Sequence, residues 1–101
     1  MRQNPDQDAR YLAAAAEFGA AMQRLARASE ANGERRRDLL QDMHVALWRS
    51  LASFDGRCSL RTWVYRVSHN VAASHIDRER RGRLGSVAIE EIEHLADMRN
   101  L

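Results

Sequence analysis

Residues 54–70 read FDGRCSLRTWVYRVSHN, a short turn that leads directly into a helical pattern. The turn is the segment 55–57, and Ser59, or Cys58 just before it, is suited to cap the helix that follows. Apolar residues then recur every three or four positions, with Trp63 beside them: Leu60, Val64, Val67 and Val71. This spacing predicts an amphipathic helix with one face in the core.

Two further helices are predicted upstream. The first has Asn4 as N-cap, Pro5 in the first helical position and Gln7 to close a capping box. Its core stripe is Tyr11, Ala15, Phe18, Met22 and Leu25. The pair Asn32–Gly33 suits a left-handed C-cap, so we expect the first helix to end there.

The second helix is predicted from about Glu34 to Ser53. Its core face consists of Leu40, Met43, Leu47, Leu51 and Phe54. Its opposite face consists of Asp38, Gln41, Asp42, Val45, Arg49 and Ala52, with Trp48 on the border. A valine in the middle of an acidic face is either an ordinary exposed apolar residue or the centre of a partner site.

The third helix has an outward line and a polar flank. The outward line is Tyr65, His69, Ala72 and Ile76, and the flank is Arg66, Asn70, Ala73 and Arg80. Gly82 is predicted to end this helix, and a weaker segment after Gly85 could form a short helix capped by Ser86. We therefore predict an all-α fold, a compact domain of three to four helices.

Charge divides the chain into a basic and an acidic part. All 16 basic residues are arginine, and seven of them fall in 57–83 against two acids, Asp77 and Glu79. The segment 84–101 has four acids against Arg99. This distribution indicates a site for a polyanion followed by a separate segment, although a solvated helix face gives the same pattern.

Several classes of function are disfavoured. A single cysteine excludes an internal disulfide, and the lack of a long apolar run or a signal peptide predicts a cytoplasmic protein without a membrane segment. No zinc-type spacing links the candidate ligands His44, Cys58, His69, His75 and His94. With no phosphate-binding glycine loop and no G-x-S-x-G turn, we expect no enzyme, metal or cofactor.

Nucleic-acid binding is the chemistry that remains. Aromatic rings stack on unpaired bases, and arginines contact phosphates. Tyr65 points away from the predicted core, where a stacking role and a plain surface role both stay open. The candidate phosphate contacts are Arg61, Arg66, Arg78, Arg80 and Arg81.

The order of motifs from Asp38 to Arg83 resembles region 2 of bacterial RNA polymerase sigma factors, and most closely the extracytoplasmic-function group. That group has an acidic D-L-x-Q-[DE] helix ending in L-W, then F-[DR]-G, then F-R-T-W-L-Y-R-I-A-R-N and an arginine run. Here the same order is found in DLLQD at 38–42, LW at 47–48, FDG at 54–56, LRTWVYR at 60–66 and Asn70. Leu60, Cys58 and His69 depart from the commoner phenylalanine, serine and arginine.

The resemblance implies two binding faces. One would contact the clamp coiled coil of the polymerase β′ subunit: Asp38, Gln41, Asp42, Val45, Trp48 and Arg49. The other would recognise and open the promoter −10 element and hold its non-template strand: Phe54, Asp55, Gly56, Arg57, Arg61, Thr62, Trp63, Tyr65, Arg66, Asn70, Arg78, Arg80 and Arg81. Of the aromatic residues, Trp63 is expected to serve mainly as core support.

The resemblance also implies a domain organisation and further partners. Residues 1–83 would be the region 2 domain, and 84–101 the acidic start of an interdomain linker. Such factors carry a second domain that reads the −35 element, so we expect the chain to be a truncated piece, with a naturally single-domain factor as the alternative. An anti-sigma factor is an expected partner. The alternative function is a sigma-like module that binds polymerase or an anti-sigma factor without opening DNA.

Overall fold

A computed structural model describes residues 5–85 of the chain. Within this range the chain forms three α-helices and no strand: α1 (Pro5–Ser29), α2 (Gly33–Ser50) and α3 (Leu60–Gly85). A short 3₁₀ turn, Leu51–Ser53, continues α2. The prediction of a compact all-α domain is confirmed. Asn4 and the predicted helix after Gly85 lie outside the described residues.

The core lies where the three helices meet. Met43 and Leu47 of α2 are completely buried, and Leu39 and Leu51 are 1% exposed. Helix α1 contributes Ala14, Met22 and Ala26, and α3 contributes Val64 and Ala72. Each large apolar side chain buried in this way contributes about 1.5–3 kcal/mol, so α2 is the central stabilising element.

The predicted core stripes are largely correct, with exceptions on each helix. In α1 the buried residues Ala14 and Ala26 were not part of the predicted stripe, whereas the predicted Ala15 is only half-buried. Most of their remaining members are half-buried against the core: Tyr11, Phe18, Leu25, Leu40, Phe54, Leu60, Val67 and Val71. Leu39, which the spacing did not select, is more deeply buried than its neighbour Leu40. The outward assignment of Ala72 is wrong, since this residue is 4% exposed and its small side chain lets α3 pack closely on its neighbours.

Asn32 and Gly33 start α2 and do not end α1. Helix α1 ends at Ser29, and the Asn32 side-chain oxygen accepts a hydrogen bond from the Arg35 backbone N–H at 3.0 Å. Gly33 is the first residue of α2 and has no positive φ. The prediction of a left-handed C-cap here is therefore wrong, because asparagine is as well suited to the N-cap of the next helix.

The ends of the other helices also differ in part from expectation. The α-helical part of α2 stops at Ser50, and the 3₁₀ turn occupies the predicted last three residues. Gly82 does not end α3, which continues to Gly85. A glycine costs a helix only about 1 kcal/mol relative to alanine, so it does not stop a helix by itself.

Partly buried polar contacts connect α1 to α2. Gln7, predicted to close a capping box, is buried, and its Nε2 donates to the Trp48 carbonyl at 2.7 Å. The Trp48 indole N–H donates in turn to Asp8 Oδ1 at 2.8 Å. Tyr11 Oη lies 2.9 Å from His44 Nδ1. These contacts fix the register of α1 along α2.

Candidate nucleic-acid interface

The turn between the 3₁₀ segment and α3 is shaped by its own polar side chains. Asp55 Oδ1 accepts from the Arg57 backbone N–H at 3.0 Å, and its other oxygen lies 3.1 Å from Arg57 Nε. Gly56 has φ +79°, a conformation that glycine adopts without strain. Ser59, as predicted, caps α3, its Oγ accepting from the Thr62 N–H at 3.1 Å. The Arg57 side chain remains 90% exposed and available for contact.

Phe54 and Trp63 support this turn from the side of the core. Their rings meet edge to face with centroids 5.1 Å apart. The Trp63 indole N–H donates to Ser50 Oγ at 2.9 Å, and Arg10 donates to the Phe54 carbonyl at 3.3 Å. Trp63 is half-buried against the core, which confirms its predicted supporting position.

Tyr65, Arg66 and Asn70 are all exposed on α3. Tyr65 is 64% exposed, and its ring stacks on His69 with centroids 3.8 Å apart. His69 Nδ1 also lies 2.9 Å from the Tyr65 carbonyl, so the histidine is held beneath the tyrosine ring. An aromatic face, a cation and an amide are thus available along this part of the helix.

The residues predicted to contact the DNA strand lie on two sides of α3. Arg61 and Tyr65 line a cleft of about 340 Å³ between α1 and α3. Asn70 and Arg78 line a groove of about 410 Å³ between α2 and α3. The first cleft also contains Ser68, a 2%-exposed residue whose hydroxyl has no hydrogen-bond partner among the described residues. Sequence reasoning missed Ser68, because a serine on a basic helix is normally assigned to the surface.

The arginine run at the end of α3 is solvent-exposed. Arg78, Arg80 and Arg81 all lie on the surface, and Arg81 Nη2 is 3.3 Å from Asp77 Oδ2 one turn earlier. An exposed pair of this kind contributes little to stability. The guanidinium groups can therefore turn towards a phosphate at small cost.

The outward face of α2 is exposed as predicted. Asp38, Gln41, Asp42, Val45, Arg49 and Ala52 are exposed, and Val45 retains 41% of its surface. Trp48 is half-buried, with its N–H directed to Asp8, so only part of its ring is on this face. Asp42, Val45 and Arg49 line the same groove as Asn70 and Arg78, so the two predicted faces adjoin.

Two ionisable groups in the described range have shifted pKa values. The Asn32 backbone N–H and the His75 side chain lower the pKa of Glu30 below its usual range. Burial lowers the pKa of His44.

A cluster of potential metal ligands lies away from both faces. Glu30, His75 and Glu79 place one ligand atom each within 4.8 Å of the other two. Sequence reasoning considered only histidines and Cys58, and it missed this group because Glu30 is 45 residues from His75. His94, one of the ligands considered there, lies outside the described residues.

None of the helices in residues 5–85 is long and apolar enough to span a membrane.

The sequence was compared with protein families, curated proteins and solved structures. No curated protein and no solved structure matches the chain significantly. A family model, Sigma-70 region 2, matches residues 15–82, about two thirds of the chain and most of its three helices. The chain therefore belongs to the Sigma-70 region 2 family.

Proposed function

We propose that the chain is the region 2 domain of an extracytoplasmic-function sigma factor. It binds core RNA polymerase and recognises and opens the promoter −10 element. The observation that carries this proposal is the exposure of Tyr65, Arg66 and Asn70 on a domain of this family. Burial of these three side chains would instead have favoured a module that binds a protein without opening DNA.

Strand opening in this proposal is driven by binding, without catalysis or a cofactor. Extruding a base costs a few kcal/mol, and stacking on an aromatic side chain returns about 1–3 kcal/mol per base. Tyr65 is suited to this role because His69 already holds its ring in one orientation. The turn 55–58 supplies the rim of a pocket, and Phe54 and Trp63 keep that rim in place.

Asn70 and Arg78 extend the strand contact into the groove beside α2. An amide reads the edge of a base, whereas a guanidinium holds a phosphate without reading sequence. The other proposed phosphate contacts are Arg57, Arg61, Arg66, Arg80 and Arg81, and Thr62 lies at the start of α3 beside the turn. Because these contacts are electrostatic, the affinity for DNA is expected to fall as the salt concentration rises.

The outward face of α2 is the proposed docking site for the β′ clamp coiled coil. Val45 provides an apolar centre, and Asp38 and Asp42 provide an acidic rim, a combination that suits a basic, amphipathic partner. Because this face adjoins the groove with Asn70, a docked polymerase would lie beside the captured strand. An anti-sigma factor that covered either face would block initiation.

The first experiment measures binding of a labelled non-template −10 oligonucleotide, with and without core polymerase. Tyr65→Ala and Asn70→Ala are each expected to weaken binding about tenfold, since each removes a contact worth about 1–3 kcal/mol. Gln23→Ala, which removes an exposed amide from α1, is the matched control and should bind normally. Equal affinity for the wild type and both α3 variants would rule out strand capture.

The second experiment measures binding to the isolated β′ coiled coil. Asp42→Arg reverses an exposed charge on α2 and is expected to weaken this binding while leaving the fold intact. Glu17→Arg makes the same charge change on the exposed surface of α1 and should have little effect. If both variants bind as well as the wild type, the assignment of this face is wrong.

A further inference from the structure

Glu30, His75 and Glu79 meet where the end of α1 passes the second half of α3. Glu30 directly follows the last residue of α1, and His75 and Glu79 are four residues apart on α3. Residues at this spacing lie on the same face of a helix, one turn apart. A ring nitrogen and two carboxylate oxygens are thereby gathered within 4.8 Å.

Two of the three ligand groups are largely withdrawn from water. The side chains of His75 and Glu30 are 10% and 11% exposed, and that of Glu79 is 34% exposed. Glu30 Oε1 lies 2.9 Å from His75 Nε2, while its Oε2 accepts from the Asn32 N–H at 3.0 Å. Arg35 Nη1 lies 3.1 Å from Glu79 Oε2. Both carboxylates are therefore already oriented by contacts from outside the cluster, as metal-binding carboxylates are.

We propose that Glu30, His75 and Glu79 form a binding site for a divalent transition-metal ion of the zinc type. One imidazole and two carboxylates suit Zn²⁺, whereas Mg²⁺ and Ca²⁺ take oxygen ligands. Three protein ligands leave the fourth tetrahedral position to water. Glu79 and the solvent beside it provide the path by which the ion enters.

One of the three distances between ligand atoms is close to that of an occupied site, and the other two are no longer than 4.8 Å. Ligand atoms about 2.0–2.2 Å from a tetrahedral zinc ion are about 3.3 Å from one another. Glu30 Oε1 and His75 Nε2 need to separate only slightly from 2.9 Å, and the proton between them leaves as the metal binds.

A simple ion pair explains only part of the arrangement. Glu30 and His75 would satisfy one another without Glu79, which adds a second carboxylate to an already paired histidine. Arg35 pairs with Glu79, but its side chain is 61% exposed, so this pair contributes little to stability. The bound ion would tie the end of α1 to α3 and stabilise the fold by linkage.

Zinc titration of the untagged protein tests the proposal. The Cys58→Ser background removes the thiol, and calorimetry and thermal unfolding report binding. We expect one Zn²⁺ per chain and a raised Tm, with no effect of Mg²⁺ at the same concentration. Glu79→Gln and His75→Gln should each weaken zinc binding by more than about tenfold, since even outer contacts to metal ligands are worth about 10- to 100-fold.

Matched controls separate this site from other zinc binding and from misfolding. His69→Gln removes a histidine from α3 outside the cluster and should bind zinc as the wild type does. Glu79 is partly exposed, so Glu79→Gln should keep the helical circular dichroism of the parent. The proposal is overturned if the parent binds no zinc, or if folded Glu79→Gln and His75→Gln variants bind it unchanged. Glu30, His75 and Glu79 belong to neither the proposed DNA face nor the polymerase face, so loss of zinc binding in their variants is independent of the promoter experiments.

Discussion

Gly56 contributes to the shape of the turn before α3 through its backbone conformation. Its φ of +79° lies in the left-handed region, and a Cβ built on it would meet no atom within 4 Å. Gly56→Ala should therefore reduce the free energy of unfolding through backbone strain, by about 1–2 kcal/mol. Urea denaturation followed by circular dichroism measures this change.

Gly19 provides the matched control for this substitution. It lies in the interior of α1, and a Cβ there also meets nothing within 4 Å. Gly19→Ala should stabilise the protein by about 0.5–1 kcal/mol, because alanine is the better helix former. If both substitutions changed the free energy of unfolding in the same direction, the left-handed conformation assigned to Gly56 would be contradicted.

His44 makes stability depend on pH. Burial lowers its pKa in the folded state, so the unfolded chain binds a proton here more readily. Its contribution is fully present above its unfolded pKa and is lost as the pH falls below about 6.5. His44→Gln should therefore lose less stability than the wild type between about pH 7.5 and 5.5, as measured by urea denaturation. An equal loss in both proteins would exclude His44 as a source of the pH dependence.

The N-terminus of α2 depends on one side chain. Asn32 Oδ1 accepts from the Arg35 N–H at 3.0 Å, which satisfies one of the free donors in the first turn. Asn32→Ala should cost about 1 kcal/mol in the free energy of unfolding, whereas Asn32→Ser retains an acceptor and should cost much less. Equal losses for alanine and serine would show that the cap contributes nothing.

Sequence periodicity predicted the helices well but their ends less well. Large apolar residues such as Met43 and Leu47 mark a core face clearly, because any other orientation would expose them. Asn32 is ambiguous, since asparagine suits both the start and the end of a helix. Ala72 is also ambiguous, since a small side chain is compatible with both surface and core, and only the packing of α3 decides between them.

The three helices share one core, so a change at its centre affects the whole molecule. Leu47 is completely buried, and Leu47→Ala should reduce the free energy of unfolding by about 2–5 kcal/mol. This is a large part of the roughly 5–15 kcal/mol that stabilises a typical domain. In urea denaturation, the Leu47→Ala variant should unfold at a much lower midpoint urea concentration than the wild type.

Val45, two residues earlier on α2, is the matched control. It is 41% exposed on the outward face, so Val45→Ala should change stability by less than about 0.5 kcal/mol. The same substitution should weaken binding to the β′ coiled coil if this face is the docking site. A large loss of stability would instead place Val45 in the core.

The order of motifs was enough to predict two faces on the molecule, but not how they are joined. Asp42 and Asn70 belong to different motifs, and only the packing of α2 against α3 puts them in one groove. The approach of Glu30 to His75 likewise depends on the fold, because no local pattern connects residues 45 positions apart. Spacing within a helix is a local property, whereas contacts between helices follow from packing.

Both tryptophans are fixed in place by their indole nitrogens, Trp48 on Asp8 and Trp63 on Ser50. Trp63 also touches Phe54, where the turn begins, whereas Trp48 lies on the side of α2 that meets α1. Replacing Trp48 with phenylalanine would leave a single tryptophan, which lies beside the proposed base pocket. The molecule thus contains its own fluorescent reporter, and strand capture can be followed in real time without an attached dye.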